Sequence, residues 1–516
     1  MPCPADGIFG EHGQVRSLPQ RIVLSVDLGT NGCRAAAYDA KGARLGTHHV
    51  EYGLTHPEPG AAEQEAEGWW SAARACVRAV VDQLDDPSSV VAIGVSAQGH
   101  SWVPTSADFR ALRPALTWLD TRAAGVAAQL LKAKGAHFWG HTAGKVPGAW
   151  HTLAQILWLR EREPAVQKAA AWYLYAHDFL IGRLTGNAVT DYTTAAASLL
   201  YDVTNFQWDR QIALEWRVDV DRFATPVQSG SVAGGLRWQV AGELGLPAGI
   251  PVAVGAQDQK CAALGAGLEP GVATASLGTA TAITALAARP TFDEATAIPC
   301  FPYLVKNSWV LEAPLTTTGA AVRWLRDLLV GFGADDVSYA AVDRIAEDAV
   351  PGCDGVRFFP YLAGAGAPHW LGDVAGAFVG LKLDTRPADI ARSVLESVGF
   401  EIRTNLDAMR GQNVAIERFR VFGGGAKSDL WCQMIADICR VPVERCVDVE
   451  TAAMGAAMLA LVAAGVFPTA AQAQDAIGHG REWFEPSAEP AYEDSYRQYC
   501  NMRTVYWRMN SPGRRA

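Results

Sequence analysis

Two segments about 250 residues apart share one pattern: an apolar run, a Gly-Thr pair and a second apolar run. The first occupies residues 27–39 and the second residues 272–284. Gly-Thr between two apolar runs is typical of a hairpin that joins two strands. Self-similarity at this distance indicates an internal repeat. The pattern therefore predicts a duplicated fold, in which each half opens with a strand–turn–strand unit and the boundary lies near residues 267–271.

The intervening sequence has the alternation of an α/β chain. Residues 67–84 and 152–162 show helical periodicity, and residues 90–95 form a buried-strand run between them. A chain of 516 residues, 49% of them hydrophobic, has ample material for two or more cores. We expect an α/β protein with a flexible tail at residues 1–20, an N-terminal domain at residues 21–266 and a C-terminal domain at residues 267–516.

Composition limits the partners. The chain has 44 Lys and Arg against 54 Asp and Glu, a formal net charge of −10, which is the wrong sign for binding nucleic acid. Its ten cysteines are scattered without a CxxC pair, which fits a reducing cytoplasm. Residues 1–20 lack the apolar run of a signal peptide. Residues 451–467 are shorter than a membrane span, so we expect a buried helix there and no membrane partner.

Both Gly-Thr turns are suited to phosphate. Glycine lets backbone N–H groups approach an oxyanion closely, and the threonine hydroxyl adds a donor. Asp27 precedes the first turn, where a carboxylate could hold Mg²⁺, an ion that takes one or two carboxylates and otherwise waters and phosphate oxygens. Ordinary hairpins are the alternative, but two equivalent turns favour a phosphate role. A third loop, at residues 421–431, carries three glycines that would let a flat ring or a phosphate lie against the backbone.

Together these segments resemble the FGGY family of carbohydrate kinases. The resemblance rests on DLGTNGCR from Asp27, QDQ from Gln257, SLGTAT from Ser276, GAFVGLKLDTRPADIARSVLE from Gly376 and FGGGAKSDLW from Phe422. It extends from about Arg21 to Val466. It implies two ribonuclease-H-like domains of the hexokinase, Hsp70 and actin type, with ATP and sugar in the cleft between them. It also implies transfer of the γ-phosphoryl group of ATP, with Mg²⁺, to a hydroxyl of a sugar or polyol.

The resemblance gives each motif an expected role. Asp258 is the expected catalytic base for the attacking hydroxyl, with a helix N-cap as an alternative or additional role. Asp27 and Asp258 are the expected metal-proximal carboxylates. The expected nucleotide-binding residues are Gly29, Thr30, Asn31 and Arg34 in the first half, and Gly278, Thr279, Gly319, Gly424, Gly425 and Ser428 in the second.

Substrate contacts are expected mainly from the first half. The candidates are Gln98, His100, Trp118, Asp120, Arg122, Trp150, Asp258 and Gln259. His100 follows an apolar strand, at the edge where open α/β sheets bind ligands. Asp120 and Arg122 are explained as well by a structural ion pair, and Trp150 by core packing. Family members commonly carry a lysine where this chain has Gln155, so no polar role is carried over to that position.

Two kinds of acceptor are compatible with the motifs. Gly99-His100 resembles the Met-His of xylulose kinases and favours a ketopentose such as xylulose. Asp258-Gln259 and the segment at residues 367–370 resemble the branch that phosphorylates glycerol and other polyols. A switch ATPase of the same superfamily, or a sugar sensor, is the alternative of another class, and the presence of Asp27 and Asp258 argues against both. Residues 482–516, rich in Tyr, Trp and Arg, are expected to end in a helix that packs on the second domain, with a homodimer contact as the alternative.

Overall fold

Two large mixed sheets, one in each half of the chain, organise the molecule. The computed structural model describes residues 21–331, 333, 337–448, 450–478, 480–488 and 491–510. The predicted tail at residues 1–20 lies outside these residues.

The first half supplies one large sheet and several short strands. Its strands are β1 (Ile22–Leu28), β2 (Gly32–Asp39), β3 (Arg44–Glu51), β4 (Glu63–Gln64), β5 (Val90–Ala97), β6 (Trp102–Thr105), β7 (Ala115–Leu116), β8 (Trp172–Tyr175), β9 (Val189–Asp191), β10 (Tyr201–Asp202), β11 (Gln207–Trp208), β12 (Thr225–Val227), β13 (Val232–Gly235) and β14 (Pro251–Gln257). Its helices are α1 (Ala66–Val81), α2 (Ala124–Ala143), α3 (Thr152–Arg162), α4 (Pro164–Ala169), α5 (Ala176–Thr185), α6 (Tyr192–Ala195), α7 (Arg210–Glu215), α8 (Trp238–Leu244) and α9 (Asp258–Gly265).

The second half is built from fewer and longer elements. Its strands are β15 (Gly271–Ser276), β16 (Thr281–Ala287), β17 (Cys300–Pro302), β18 (Trp309–Leu315), β19 (Arg357–Phe359), β20 (Ala377–Val379), β21 (Ile416–Phe422), β22 (Val443–Cys446) and β23 (Arg481–Phe484). Its helices are α10 (Gly319–Gly331), α11 (Tyr339–Glu347), α12 (Pro387–Gly411), α13 (Asp429–Cys439), α14 (Thr451–Ala463), α15 (Ala470–Ile477) and α16 (Glu493–Asn510).

The two large sheets share the order of a five-strand core and differ in the edge strand beyond it, because β13 precedes β14 in the chain whereas β23 follows β22. The first runs β3-β2-β1-β5-β14-β13, and the second runs β18-β16-β15-β21-β22-β23, with β17 added beyond β18. In each sheet the three central strands are parallel and the strands on either side of them are antiparallel. Both Gly-Thr pairs lie in the equivalent hairpin, between β1 and β2 and between β15 and β16. The predicted duplicated α/β fold of the ribonuclease-H-like type is confirmed.

In each sheet, one helix follows the last parallel strand, and these two helices pack on each other between the halves. α9 follows β14, α14 follows β22, and α14 also packs on β1, β5 and β14. The contact is close because glycines line it: a Cβ at Gly455 would lie 2.0 Å from the Cys261 carbonyl oxygen, and one at Gly265 would lie 1.9 Å from that of Thr451. The predicted buried helix is present over Thr451–Ala463, and residues 464–467 of the uncharged stretch lie beyond its end. Within the described residues, no helix is long and apolar enough to cross a membrane.

The last helix packs on the second half, as expected for this aromatic and basic stretch. Tyr499 Oη and Arg503 Nη1 of α16 donate to Glu401 Oε1 of α12 at 2.8 and 2.9 Å. Arg403 of α12 pairs with Glu493 at 2.9 Å. The boundary expected at residues 266/267 falls in the connection from α9 to β15.

Candidate active site

Three adjacent parallel strands bring polar residues to one sheet edge. β14, β5 and β1 are neighbours in that order, so their carboxyl ends meet there. Asp27 lies at the end of β1, paired in register with Ser96 of β5, and Asp258 directly follows β14. Ser96 Oγ donates to Asp27 Oδ1 at 2.7 Å. The two carboxylates predicted from separate motifs therefore share one site.

Both carboxylates are half-buried at this edge, and their acidities are shifted. Burial raises the pKa of Asp27, against the opposing effects of the Ser96 hydroxyl and the Arg34 charge. Burial, and next the charge of Asp27, raise the pKa of Asp258 to about 7. Asp258 is the first residue of α9 and does not cap it; the Gln259 N–H donates to its Oδ1 at 2.7 Å. A carboxyl of this pKa can take up a proton near neutral pH.

Buried hydrogen bonds fix the strand that presents Asp258. The Gln257 N–H donates to Thr193 Oγ1 at 3.0 Å, and Thr193 Oγ1 donates to the buried Asp191 at 2.5 Å. The Gly255 N–H donates to His177 Nε2 at 3.1 Å. Because Nε2 accepts this bond, the proton of neutral His177 lies on Nδ1, next to Asp178. These hydrogen bonds fix the backbone at the carboxyl end of β14.

The first Gly-Thr turn is braced by three side chains. Tyr52 Oη donates to the Gly29 carbonyl at 2.6 Å and Gln64 Nε2 to the Thr30 carbonyl at 2.6 Å. Trp118 Nε1 donates to Thr30 Oγ1 at 2.9 Å, which leaves the hydroxyl proton of Thr30 free for an acceptor. The turn is thus a rigid, half-buried element with a donor to offer a phosphate oxygen.

The other two residues of this region that are predicted to bind nucleotide, Asn31 and Arg34, lie in different surroundings. Asn31 is exposed beside the turn. Arg34, on β2, forms an ion pair with Glu450, which immediately precedes α14 of the second half. Arg34 therefore links the two halves, and its proposed contact with nucleotide remains a prediction.

Around the second Gly-Thr turn, the structure brings three predicted segments together. The Gly319 N–H donates to the Gly278 carbonyl at 2.8 Å, and the Thr318 N–H to that of Thr279 at 3.1 Å. A Cβ at Gly319 would lie 2.5 Å from the Gly278 carbonyl oxygen. The N-terminus of α10 thus packs directly on the turn, at a distance that only glycine allows.

The Gly-rich loop at residues 423–425 packs on the strand that leads into the same turn. The Gly425 N–H donates to the Leu277 carbonyl at 2.8 Å, and a Cβ at Gly425 would lie 2.9 Å from that oxygen. Gly424 has open space where its Cβ would be, so a flat ring could lie against it. Ser428 Oγ accepts from the Trp431 N–H at 3.0 Å and caps α13. The predicted adenosine residues form one cluster with the second turn.

The two predicted substrate residues at the end of β5 differ in whether their polar side-chain atoms are already hydrogen-bonded within the protein. Gln98 is buried, and its amide bonds to Gln64 and Ser101, so it is held within the protein. His100 is half-buried and has φ 61°, a left-handed conformation that is uncommon for histidine. Its ring meets the edge of the His151 ring at 5.2 Å between centroids, and its buried Nδ1 has no hydrogen-bond partner among the described residues.

The remaining predicted substrate residues divide by exposure. Trp118 and Trp150 are 42% and 37% exposed and available to a ligand, and Gln259 is half-buried beside Asp258. Asp120 is buried, and its oxygens accept from the Ala62 N–H and from Arg122. Arg122 also binds Glu58 and Glu63. The structure therefore favours the ion-pair interpretation of Asp120 and Arg122.

Gln155, which departs from the family pattern, has a structural contact. It is fully buried, and its Oε1 accepts from Trp102 Nε1 at 2.6 Å.

The motifs missed a group of charged residues beside His100. Lys145 and Lys260 are buried, and Lys260 Nζ pairs with Glu312 Oε2 at 2.6 Å. The one signal in the sequence was a lone lysine in each of two apolar segments, TAGKVPGAW and VAVGAQDQKCAALGAG.

Comparison with family models finds two matches that together cover most of the chain. Residues 22–265 match the N-terminal domain of the FGGY family of carbohydrate kinases, and residues 273–464 match its C-terminal domain. The first match contains Asp27 and Asp258, and the second contains the Gly278 turn and the Gly-rich loop.

Several curated relatives and solved structures are similar over nearly the full length. A xylulose kinase of Staphylococcus epidermidis is 27% identical, with 94% of this chain and 96% of the relative aligned. A glycerol kinase of Halorhodospira halophila is 32% identical over 96% and 99%, and a gluconokinase of Bacillus licheniformis 27% over 88% and 90%. The crystal structure of a xyloylose kinase from Brucella ovis superposes with a TM-score of 0.87 at 26% identity, covering 95% of this chain and all of that one.

Proposed function

The chain belongs to the FGGY family of carbohydrate kinases, and from that premise we propose that it transfers the γ-phosphoryl group of ATP to a hydroxyl of a small sugar, with Asp258 as the base. As a member of the family it is a phosphotransferase with a hydroxyl acceptor. The observation that carries the proposal is the pair of half-buried carboxylates, Asp27 and Asp258, at the carboxyl ends of the two parallel strands that flank β5. The specific acceptor is a separate question, because the relatives carry three different substrate names.

In the proposed reaction, Asp258 orients the acceptor hydroxyl and takes its proton. The acceptor oxygen forms a bond to the γ-phosphorus while the bond from that phosphorus to the bridging oxygen breaks, and ADP leaves with the electron pair. The raised pKa of Asp258 suits this role, since a base with a pKa near the working pH is effective and still takes up a proton. The Gly29-Thr30 and Gly278-Thr279 turns hold phosphate oxygens with backbone and hydroxyl donors.

The residues present fit a magnesium ion. Burial raises the pKa of both carboxylates and the charge of Asp27 raises that of Asp258 further, so a divalent cation near them would stabilise their ionised forms. Among the described residues there is no cluster of three or more His, Cys, Asp or Glu that could hold a metal. Mg²⁺ needs no such cluster, because it completes its shell with water and phosphate oxygens. Asp27 and Asp258 would hold it, and it would neutralise phosphate charge.

The sequence favours a ketopentose such as xylulose as the acceptor, through His100, with glycerol or another polyol as the second candidate. The geometry supports an acceptor that lies between Asp258 and His100. The two half-exposed tryptophans, Trp118 and Trp150, offer apolar faces of the kind that pack on sugar rings or chains.

The proposal is tested by ADP release, coupled to NADH oxidation, with Mg·ATP and a panel of ketopentoses, hexoses, sugar acids, glycerol and other polyols. We expect ADP only when a suitable acceptor is present. Slow ADP release that no acceptor stimulates would contradict the kinase proposal and favour the switch ATPase. Mass spectrometry of the product identifies the phosphorylated acceptor.

A further inference from the structure

Two lysines that belong to none of the phosphate motifs lie beside the acceptor end of the site. Lys145 follows α2 and Lys260 lies in α9, two residues after Asp258. Both are at most 2% exposed. Their Nζ atoms lie 3.9 and 3.7 Å from the ring centroid of Phe301. Two ammonium groups thus converge on one aromatic ring inside the protein.

The cluster contains two lysines but only one carboxylate among the described residues. Lys260 is paired with Glu312 at 2.6 Å. Lys145 donates to the Ala196 carbonyl at 2.7 Å and makes no ion pair with a carboxylate of the described residues. An ammonium group has three N–H donors, and a buried one without an anion is costly. Lys145 therefore has donor capacity that the protein does not use, and burial, followed by the charge of Lys260, lowers its pKa to about 7.

His100 connects this cluster to the cleft. Its ring centroid lies 6.4 Å from that of Phe301, it is half-buried, and its Nδ1 is without a partner. Burial, and next the charges of Lys145 and Lys260, lower the pKa of His100 to about 3. A buried imidazole nitrogen without a partner among the described residues has unused capacity to bond a polar ligand atom that reaches it. The neighbouring His151 accepts from the Gly148 N–H through Nδ1 at 2.8 Å and is held by the protein.

We propose that the acceptor is a sugar acid, whose carboxylate binds toward Lys145 and His100 while its hydroxyl lies at Asp258. The inference rests on the phosphoryl transfer proposed above and replaces the ketopentose expectation. A hydroxyl or ketone oxygen is neutral and gives the ammonium form of Lys145 no counter-charge, whereas a carboxylate stabilises that form. Coulomb attraction is strong where water is excluded, so a charged ligand gains more here than at the surface.

The first test compares acids with matched neutral acceptors in the wild-type protein. D-Gluconate is paired with D-glucitol, and D-xylonate with xylitol and with D-xylulose, in the coupled ADP assay. We expect kcat/KM to be roughly 10- to 100-fold higher for the acid of a pair, the range of a charge-assisted hydrogen bond. Turnover of D-xylulose or an alditol without turnover of any acid would overturn the inference and leave the kinase proposal standing. If no acceptor stimulates ADP release, both fail.

The second test asks whether Lys145 acts on the acid or only supports the fold. Lys145→Gln is expected to raise KM for the acid roughly 10-fold or more while KM for ATP stays unchanged, and Lys145→Arg, which keeps the charge, is expected to restore much of the affinity. Lys134→Gln is the matched control, because Lys134 pairs with Glu215 in the same region of the chain outside the cleft. Equal losses for acid and neutral acceptors would overturn the role of Lys145. If Lys145→Gln does not fold, the wild-type comparison decides.

Discussion

A single carboxyl at the end of β14 carries the proposed chemistry. Replacing it by an amide, Asp258→Asn, keeps the size and removes the base. We expect turnover to fall at least ~100-fold, with KM for ATP and acceptor changed only a few-fold, because positioning is retained and proton acceptance is lost. Steady-state kinetics measures both. Asp108→Asn is the control, since Asp108 is exposed and its partners in the described part of the chain are the nearby Arg110 and Ser106. Near-wild-type turnover in Asp258→Asn would contradict the assignment.

The acidity of Asp258 gives a second prediction at this scale. Its pKa is raised to about 7 by burial and Asp27, with Glu312 acting in the same direction and the Gln259 N–H and Lys260 against it. A base works only when deprotonated, so kcat/KM for Mg·ATP, which reports the protein before the metal binds, should rise with pH from about 5.5 and level off above about 8. Below the midpoint Asp258 carries a proton and cannot accept another.

One other group titrates in the same range and needs a control. Burial lowers the pKa of Lys145 to about 7, so loss of its charge would reduce acid binding above that pH. Measuring the profile in Lys145→Arg, whose guanidinium stays charged, separates the two effects. A profile in that variant that is flat from about pH 5.5 to 8 would show that Asp258 is not the titrating base.

Some residues of the site could be recognised from the sequence and others could not. Asp27 and Asp258 stand next to strands in recognisable motifs, and the structure brings them together. Asp120 looked equally suited to a ligand or an ion pair, because only burial and partners distinguish the two. Lys145 had no motif at all: it meets Phe301 and Lys260 through tertiary contacts between segments that are over 100 residues apart in the chain.

At the scale of elements, the helix α10 and the second Gly-Thr turn depend on one missing side chain. Gly319→Ala would place a methyl group 2.5 Å from the Gly278 carbonyl oxygen, so helix and turn must separate. We expect KM for ATP to rise by about 5-fold or more, since overpacking of this kind costs about 1–3 kcal/mol. Titration with ATP in the ADP assay measures it.

The same helix supplies the control. Gly331 ends α10 and has open space where a Cβ would be, so Gly331→Ala should leave KM for ATP within about 2-fold of wild type. Equal effects of the two substitutions would mean that α10 does not position the turn.

Elements with strong periodicity were predictable, and short ones were not. The helix at residues 152–162 was placed from its apolar spacing and has those bounds. The sheet of β4, β7, β6 and β8 was missed, because strands of two to four residues are too short to show alternation and pair only through long-range contacts. This sheet supports the loop that carries Trp118, so the structure of that part of the site could not be predicted from the sequence.

For the whole molecule, the repeated Gly-Thr hairpins predicted two halves, because each hairpin begins a sheet with the same five-strand core. Nothing in the repeat indicated how the halves meet. That contact depends on glycines in α9 and α14 whose spacing is unremarkable in the sequence and whose role emerges only when the helices are packed together. Arg34 and Glu450 add an ion pair across the same region.

The packing of α9 on α14 gives a prediction for the molecule as a unit. Gly455→Ala would place a methyl group 2.0 Å from the Cys261 carbonyl oxygen, and backbone cannot move aside as a side chain can. We expect a loss of about 1–3 kcal/mol and a lower Tm. Gly242→Ala in α8 has open space and should raise stability by up to about 1 kcal/mol, because alanine favours a helix interior. If thermal unfolding shows both variants moving in the same direction, close packing of these helices is not what joins the halves.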